Sequence, residues 1–125
     1  NVHILSSWSE LVGKERLWLA PRLAVEEDFP VDYLKYAETF LIDTYHENKY
    51  GGTGKTSDWP LYSKLAATHF DNNWILAGGL SPSNVVDAIK CTSARHIDLN
   101  SGVEIKPGVK DEAKLSNLFK MLRLN

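Results

Sequence analysis

Short apolar runs alternate with segments of helical spacing along almost the whole of this sequence. That alternation restricts a chain to parallel α/β architectures. Residues 2–5, 16–20, 39–43, 73–77 and 95–99 read as strands. They are apolar runs rather than apolar–polar alternations, which suits strands covered on both faces. Helix signals lie between them. Ser7-Trp8-Ser9-Glu10 has the form of a capping box, and Gly13 suits the left-handed residue that ends a helix. Pro30 fits a first helical turn ahead of Val31, Leu34, Tyr36 and Ala37. Asp58 can cap a helix over residues 60–68, and Ser81-Pro82 opens another that runs to about Lys90. After Asp111, the spacing of Leu115, Leu118, Phe119 and Leu122 predicts a last amphipathic helix. The order is β-α repeated five times, in one domain spanning residues 1–125. A small doubly wound sheet and part of a barrel both fit it.

Charge and cysteine usage narrow the function. The net charge is −2 with both signs interspersed, so no basic stripe marks a nucleic-acid partner. No apolar run approaches the roughly 20 residues of a membrane span. The single cysteine, Cys91, rules out a disulfide framework or a cysteine-based zinc cluster within the chain. It is expected to be a small buried hydrophobe after a helix. The four histidines show no metal-ligand spacing. The four tryptophans are expected in core or rim packing. The first residues have neither the charged leader nor the long apolar segment of a signal peptide, and a cytoplasmic location is expected.

In parallel α/β folds the ligand sits at the C-terminal ends of the strands. Three of those ends carry chemistry here. Asp43 closes the run Phe40-Leu41-Ile42; a carboxylate there can exchange a proton with a ligand, or simply anchor a loop. Gly78-Gly79 follows the next strand and lets backbone approach a ligand without an intervening Cβ. Asp98 and then Asn100-Ser101-Gly102 follow the last strand. Exposed N–H groups at two such turns on successive strands favour a phosphate, although each turn alone could need glycine for its geometry. The loop Gly51-Gly52-Thr53-Gly54-Lys55-Thr56 is not a nucleotide-binding P-loop, because Lys49 stands where that pattern needs glycine. Ser57 likewise breaks a dinucleotide fingerprint. A glycine-rich lid over the strand ends is the better reading.

Together these motifs resemble phosphoribosylanthranilate isomerase. Leu41-Ile42-Asp43, Tyr50-Gly51-Gly52-Thr53-Gly54-Lys55-Thr56 and Asp58-Trp59 resemble that family's sixth strand and following loop. Leu76-Ala77-Gly78-Gly79-Leu80, with Pro82 and Asn84-Val85, is similar to its seventh strand end. Asp98-Leu99-Asn100-Ser101-Gly102-Val103-Glu104, with Pro107-Gly108 and Lys110-Asp111, is similar to its eighth. The resemblance implies the C-terminal portion of a (β/α)8 TIM barrel, with about five parallel β/α units in this chain. It implies an Amadori rearrangement of N-(5-phosphoribosyl)anthranilate to 1-(2-carboxyphenylamino)-1-deoxyribulose 5-phosphate, in tryptophan biosynthesis and without a cofactor or metal. By resemblance Asp43 is the general acid. Gly78, Gly79, Asn100, Ser101 and Gly102 form the substrate-phosphate site, Asp98 is a carboxylate near the substrate, and residues 50–56 form a flexible lid.

Two departures accompany the match. Ser57 stands where an aromatic residue is usual. The family's general base, a cysteine ending the first strand, and an arginine from an early loop have no counterpart here; Cys91 precedes the last strand and is not that cysteine. The resemblance therefore implies that about the first three β/α units lie outside this chain, and that the missing N-terminal barrel portion is a partner of it. The alternative is a non-catalytic phosphate-binding half-barrel module. A third reading, indoleglycerol-phosphate synthase, would want a catalytic lysine on an earlier strand, and the 50–56 loop argues against it. An open sheet exposes edges and inward-facing side chains that a barrel hides. Alone, the chain is expected to be marginal, sticky or dependent on a complementing fragment, and inactive.

Overall fold

The structure, a computed structural model, describes residues 2–23, 28–43 and 58–124. Four parallel strands form one sheet: β1 (Trp18–Leu19), β2 (Thr39–Asp43), β3 (Asn73–Ala77) and β4 (His96–Ile97). Their spatial order follows their chain order. A doubly wound sheet reverses its order at a switch point, whereas barrel strands run round in sequence. The topology therefore favours the barrel alternative.

Helices α2 (Trp59–Thr68) and α3 (Val85–Thr92) make the crossovers from β2 to β3 and from β3 to β4. Asp58 caps α2 by accepting the Leu61 N–H at 3.2 Å. Pro60 lies in its first turn, where no backbone donor is lost. Helix α3 ends at Ser93 in the left-handed region. A 3₁₀ turn (Val31–Lys35) leads into β2, and α4 (Glu112–Leu124) follows the sheet.

The first expected strand is absent. Residues 2–5 begin helix α1 (Val2–Val12), which ends before Gly13 at a φ of +86°. Ile4, Trp8, Leu11 and Val12 recur at helical spacing, and a run as short as 2–5 does not distinguish strand from helix by itself. Ser7 is consequently not a cap: its hydroxyl donates to the His3 carbonyl one turn back. The described residues thus hold four parallel strands, not five. The strands expected over 16–20 and 95–99 shrink to their middle residues. The proline-led segment after Pro30 is a 3₁₀ turn rather than a longer helix. An antiparallel hairpin of β5 (Glu104–Lys106) and β6 (Val109–Lys110) was not expected. Cys91 is exposed rather than buried. Among the tryptophans, Trp74 is core, but Trp8 and Trp18 are exposed. The loop read as a lid lies outside the described residues.

The sheet has two unlike faces. On one, Phe40, Ile42, Trp74 and Leu76 are buried with Tyr62 and Leu65 of α2 and Ala88 of α3. Phe40 and Trp74 stack with centroids 5.2 Å apart, and Phe29 meets each edge-on at 5.4 Å. The buried Tyr62 hydroxyl donates to the Trp74 carbonyl at 3.0 Å. Val85, Val103 and Leu118 join α3 and α4 in a second cluster. Register puts Trp18, Thr39, Leu41, Asp43, Ile75, Ala77 and His96 on the opposite face. Thr39, Ile75 and Ala77 on that face are buried without belonging to either core cluster, whereas Trp18 there is 66% exposed, and Ile4, Trp8 and Leu11 of α1 are exposed too. A parallel sheet normally has both faces covered. Exposed apolar surface of this kind promotes association. The chain alone is expected to self-associate with rising concentration and to bind an apolar dye. Sedimentation as a monomer, with one sharp unfolding transition, would contradict this.

Candidate active site at the strand ends

The ladder between β2 and β3 aligns Asp43 with Ala77, the last residue before the glycine pair. Both residues reach the C-terminal rim of the sheet. The backbone then turns sharply, with φ of +94° at Gly78 and +63° at Gly79. L-residues rarely adopt that region, so these two positions select glycine for the turn itself. On the next strand, the Asp98 N–H donates to the Leu76 carbonyl at 2.8 Å, which extends the β3–β4 pairing past its regular part. The chain then enters a short 3₁₀ turn at Ser101–Val103.

These turns border one cleft of about 510 Å³. Asp43, Gly78, Gly79, Asp98, Asn100, Ser101 and Gly102 all line it, so the strand-end residues singled out in the sequence border the same cavity. Leu80, Ser81, Ser83 and Asn84 line it too. No Lys or Arg does so among the described residues. The N–H groups of Gly79, Leu80, Ser101 and Gly102 enter none of the hydrogen bonds formed among the described residues. The cleft thus combines two carboxylates with unspent backbone donors.

Gly102 ties the two turns together. A Cβ there would stand 1.9 Å from the Leu80 carbonyl oxygen, well inside any permitted contact. Only the absence of a side chain lets the last strand's turn approach the previous one so closely. A cation holds that turn from the other side. Lys110 donates to the Asn100 carbonyl at 3.1 Å, to the Asn100 side-chain oxygen, and to Glu104 at 2.9 Å. The hydrogen bond from Lys110 holds the Glu104 carboxyl below the ordinary glutamate range, and a backbone bond involving Gly108 acts the same way. Lys110 belongs to β6, so the hairpin that the sequence reading missed supplies this bracket. The turn signal Pro107-Gly108 was visible; Gly108 sits at a φ of +79°.

Cys91 lies elsewhere. It borders a separate hollow with Asn73 and Arg95, at the opposite ends of the strands. Among the described residues no group of three or more His, Cys, Asp or Glu is placed to hold a metal ion. No helix among them is long and apolar enough to cross a membrane.

The family model described as N-(5'-phosphoribosyl)anthranilate (PRA) isomerase matches residues 6–121. The chain belongs to the PRA isomerase family. It is 47% identical over 93 residues to the N-(5'-phosphoribosyl)anthranilate isomerase of Nostoc punctiforme, covering 73% of this chain and 42% of that protein. The Trichormus variabilis enzyme is 46% identical over 90 residues, with 72% and 41% covered. The chain thus spans about two fifths of the length of these relatives. Among solved structures, the Thermotoga maritima enzyme superposes with a TM-score of 0.68 at 30% identity, covering all of this chain and 58% of that one. A phosphoribosyl anthranilate isomerase in complex with reduced 1-(o-carboxyphenylamino)-1-deoxyribulose 5-phosphate superposes with a TM-score of 0.67 at 25% identity. The α/β fold with its parallel sheet therefore matches part of the family's TIM barrel.

Two substitutions test this geometry. Gly102→Ala must push the turns apart and is expected to destabilise the chain by roughly 1–3 kcal/mol, read by urea unfolding. Unchanged stability would mean that the Leu80 contact yields freely. Glu104→Gln probes the bracket through pH. Because the folded carboxyl titrates below its unfolded value, its stabilisation is complete above the ordinary glutamate range. It is lost as pH falls through the lowered folded value. The deficit of the Gln variant should therefore be largest near neutrality and close on acidification; a deficit constant across pH would refute the ion pair as its source.

Proposed function

We propose that this chain supplies the acid and the phosphate-binding turns of a PRA isomerase. Completed by the missing N-terminal barrel portion, it rearranges N-(5-phosphoribosyl)anthranilate to 1-(2-carboxyphenylamino)-1-deoxyribulose 5-phosphate in cytoplasmic tryptophan biosynthesis. The observation that carries this reading is the convergence of Asp43, Asp98 and both glycine-bearing turns on one cleft. A family member with a superposable fold is itself in complex with a phosphorylated ligand.

The donors of Gly79, Leu80, Ser101 and Gly102 suit the phosphate oxygens. Anchored there, the ribose lies across the cleft toward Asp43. Asp43 donates its proton to the ring oxygen, the bond from that oxygen to the anomeric carbon breaks, and the nitrogen lone pair forms the iminium. A base then takes the proton from the adjacent carbon, and the resulting enolamine tautomerises to the ketose. Atoms and charge balance without an oxidant, and the chemistry calls for neither cofactor nor metal. By family resemblance that base is a cysteine of the complementing portion, which leaves the chain alone without turnover. Asp98, just past β4, lines the same cleft, and by family resemblance it is the carboxylate near the substrate.

The test follows the loss of substrate fluorescence. The chain is assayed alone, with a family N-terminal portion supplied, and with Asp43→Asn in the complemented sample. Turnover is expected only on complementation, and Asp43→Asn should lower it by about 10²–10⁴. Absence of turnover despite confirmed assembly would instead support a non-catalytic phosphate-binding half-barrel.

A further inference from the structure

We infer that Asn84 is a positioning residue, whose side chain sets the glycine turn in the orientation that presents its N–H groups to a phosphate. This rests on the phosphate-site reading above and deepens it. The sequence marks Asn84 only as part of a motif, and its ordinary role near the start of a helix would be capping.

The structure separates that role from a second one. Asn84 Oδ1 accepts the Ser81 N–H at 2.8 Å, while the Val85 N–H bonds the Ser81 carbonyl at 3.0 Å. A side chain reaching back three residues to a cap N–H is one half of a capping box. The other contact belongs to no cap. Asn84 Nδ2 donates to the Gly79 carbonyl at 3.0 Å, outside the helical turn and inside the glycine pair. One amide therefore grips both ends of the Gly79–Leu80–Ser81 segment.

Peptide planarity turns this grip into an orientation. In a trans peptide the carbonyl of one residue and the N–H of the next point in opposite directions. Drawing the Gly79 carbonyl toward Asn84 turns the Leu80 N–H away from it. Drawing the Ser81 N–H toward Asn84 likewise turns the Leu80 carbonyl away, toward the place where Gly102 leaves room for it. The two peptide planes are thereby fixed, and with them the spacing between the two turns. Gly78 and Gly79, both at positive φ, have backbone freedom that such a restraint would limit.

The test uses the full chain assembled with a family N-terminal portion, as in the turnover assay, with inorganic phosphate as the probe and amide chemical shifts of this chain as the readout. In the unsubstituted chain, phosphate should shift the amides of Gly79, Leu80, Ser101 and Gly102. Asn84→Ser keeps a residue suited to a helix start but cannot span both contacts. Its phosphate affinity is expected to fall about tenfold, the weight of roughly one hydrogen bond. Its melting temperature should change little. If that variant does not fold, Asn84→Asp gives the second reading: it keeps the acceptor for Ser81 and loses the donor to Gly79. To separate the donor from the added charge, its affinity is compared with that of Ser83→Asp, which puts the same charge on the same rim. Weaker binding by Asn84→Asp than by Ser83→Asp supports the inference. Affinity equal to that of the unsubstituted chain in Asn84→Ser, or equal to that of Ser83→Asp in Asn84→Asp, overturns it while leaving the phosphate site intact. Absence of phosphate shifts in the unsubstituted chain overturns both.

Discussion

The parallel ladder between β2 and β3 is the constraint on which the other features hang. It pairs Thr39–Asp43 with Asn73–Ala77 residue for residue, while β1 and β4 each contribute only two residues to the sheet. Its register does two things at once. On the helix side it places Phe40 against Trp74 and Ile42 against Leu76, which builds the core. At the rim it places a carboxylate beside the residue that enters the glycine turn, one strand spacing of about 4.8 Å away. A slip of one residue would turn the core residues toward the open face and remove Asp43 from the cleft.

The most legible parts of the sequence were those whose signal is local. β2 and β3 are apolar, long enough to be distinctive and bounded by polar residues, so their limits could be read directly. The cap at Asp58 and the helix end at Gly13 follow from single-residue chemistry. Residues 2–5 misled because an isolated apolar run carries no period. The seven candidate site residues were picked from strand ends, where each alone could also anchor a loop or shape a turn; what the structure adds is that they line one cleft. The requirement at Gly102 had a different origin: it comes from the carbonyl of Leu80, far along the chain, and no local pattern announces it. The bracket around Asn100 was hidden for the same reason, since Lys110 reaches it only after the hairpin has folded back.

The two faces of the sheet describe different levels of completeness. The helix-covered face has the dense aromatic and aliphatic packing of a finished core. The other carries Leu41 and Ile75 beside Thr39 and Asn73, with Trp18 at the first strand. In a closed barrel those side chains meet partners from across the axis, and the cleft gains its remaining wall. The cleft and the second face are thus built by the same strands.

Lys110 has a further consequence. The Lys110 ammonium that holds the Asn100 turn is already matched by Glu104, and the described residues that line the cleft are neutral groups and carboxylates. At these two turns a phosphate would meet oriented backbone dipoles. Selectivity would then come from the fit of a tetrahedral oxyanion to fixed backbone donors, which a cation-rich pocket does not impose.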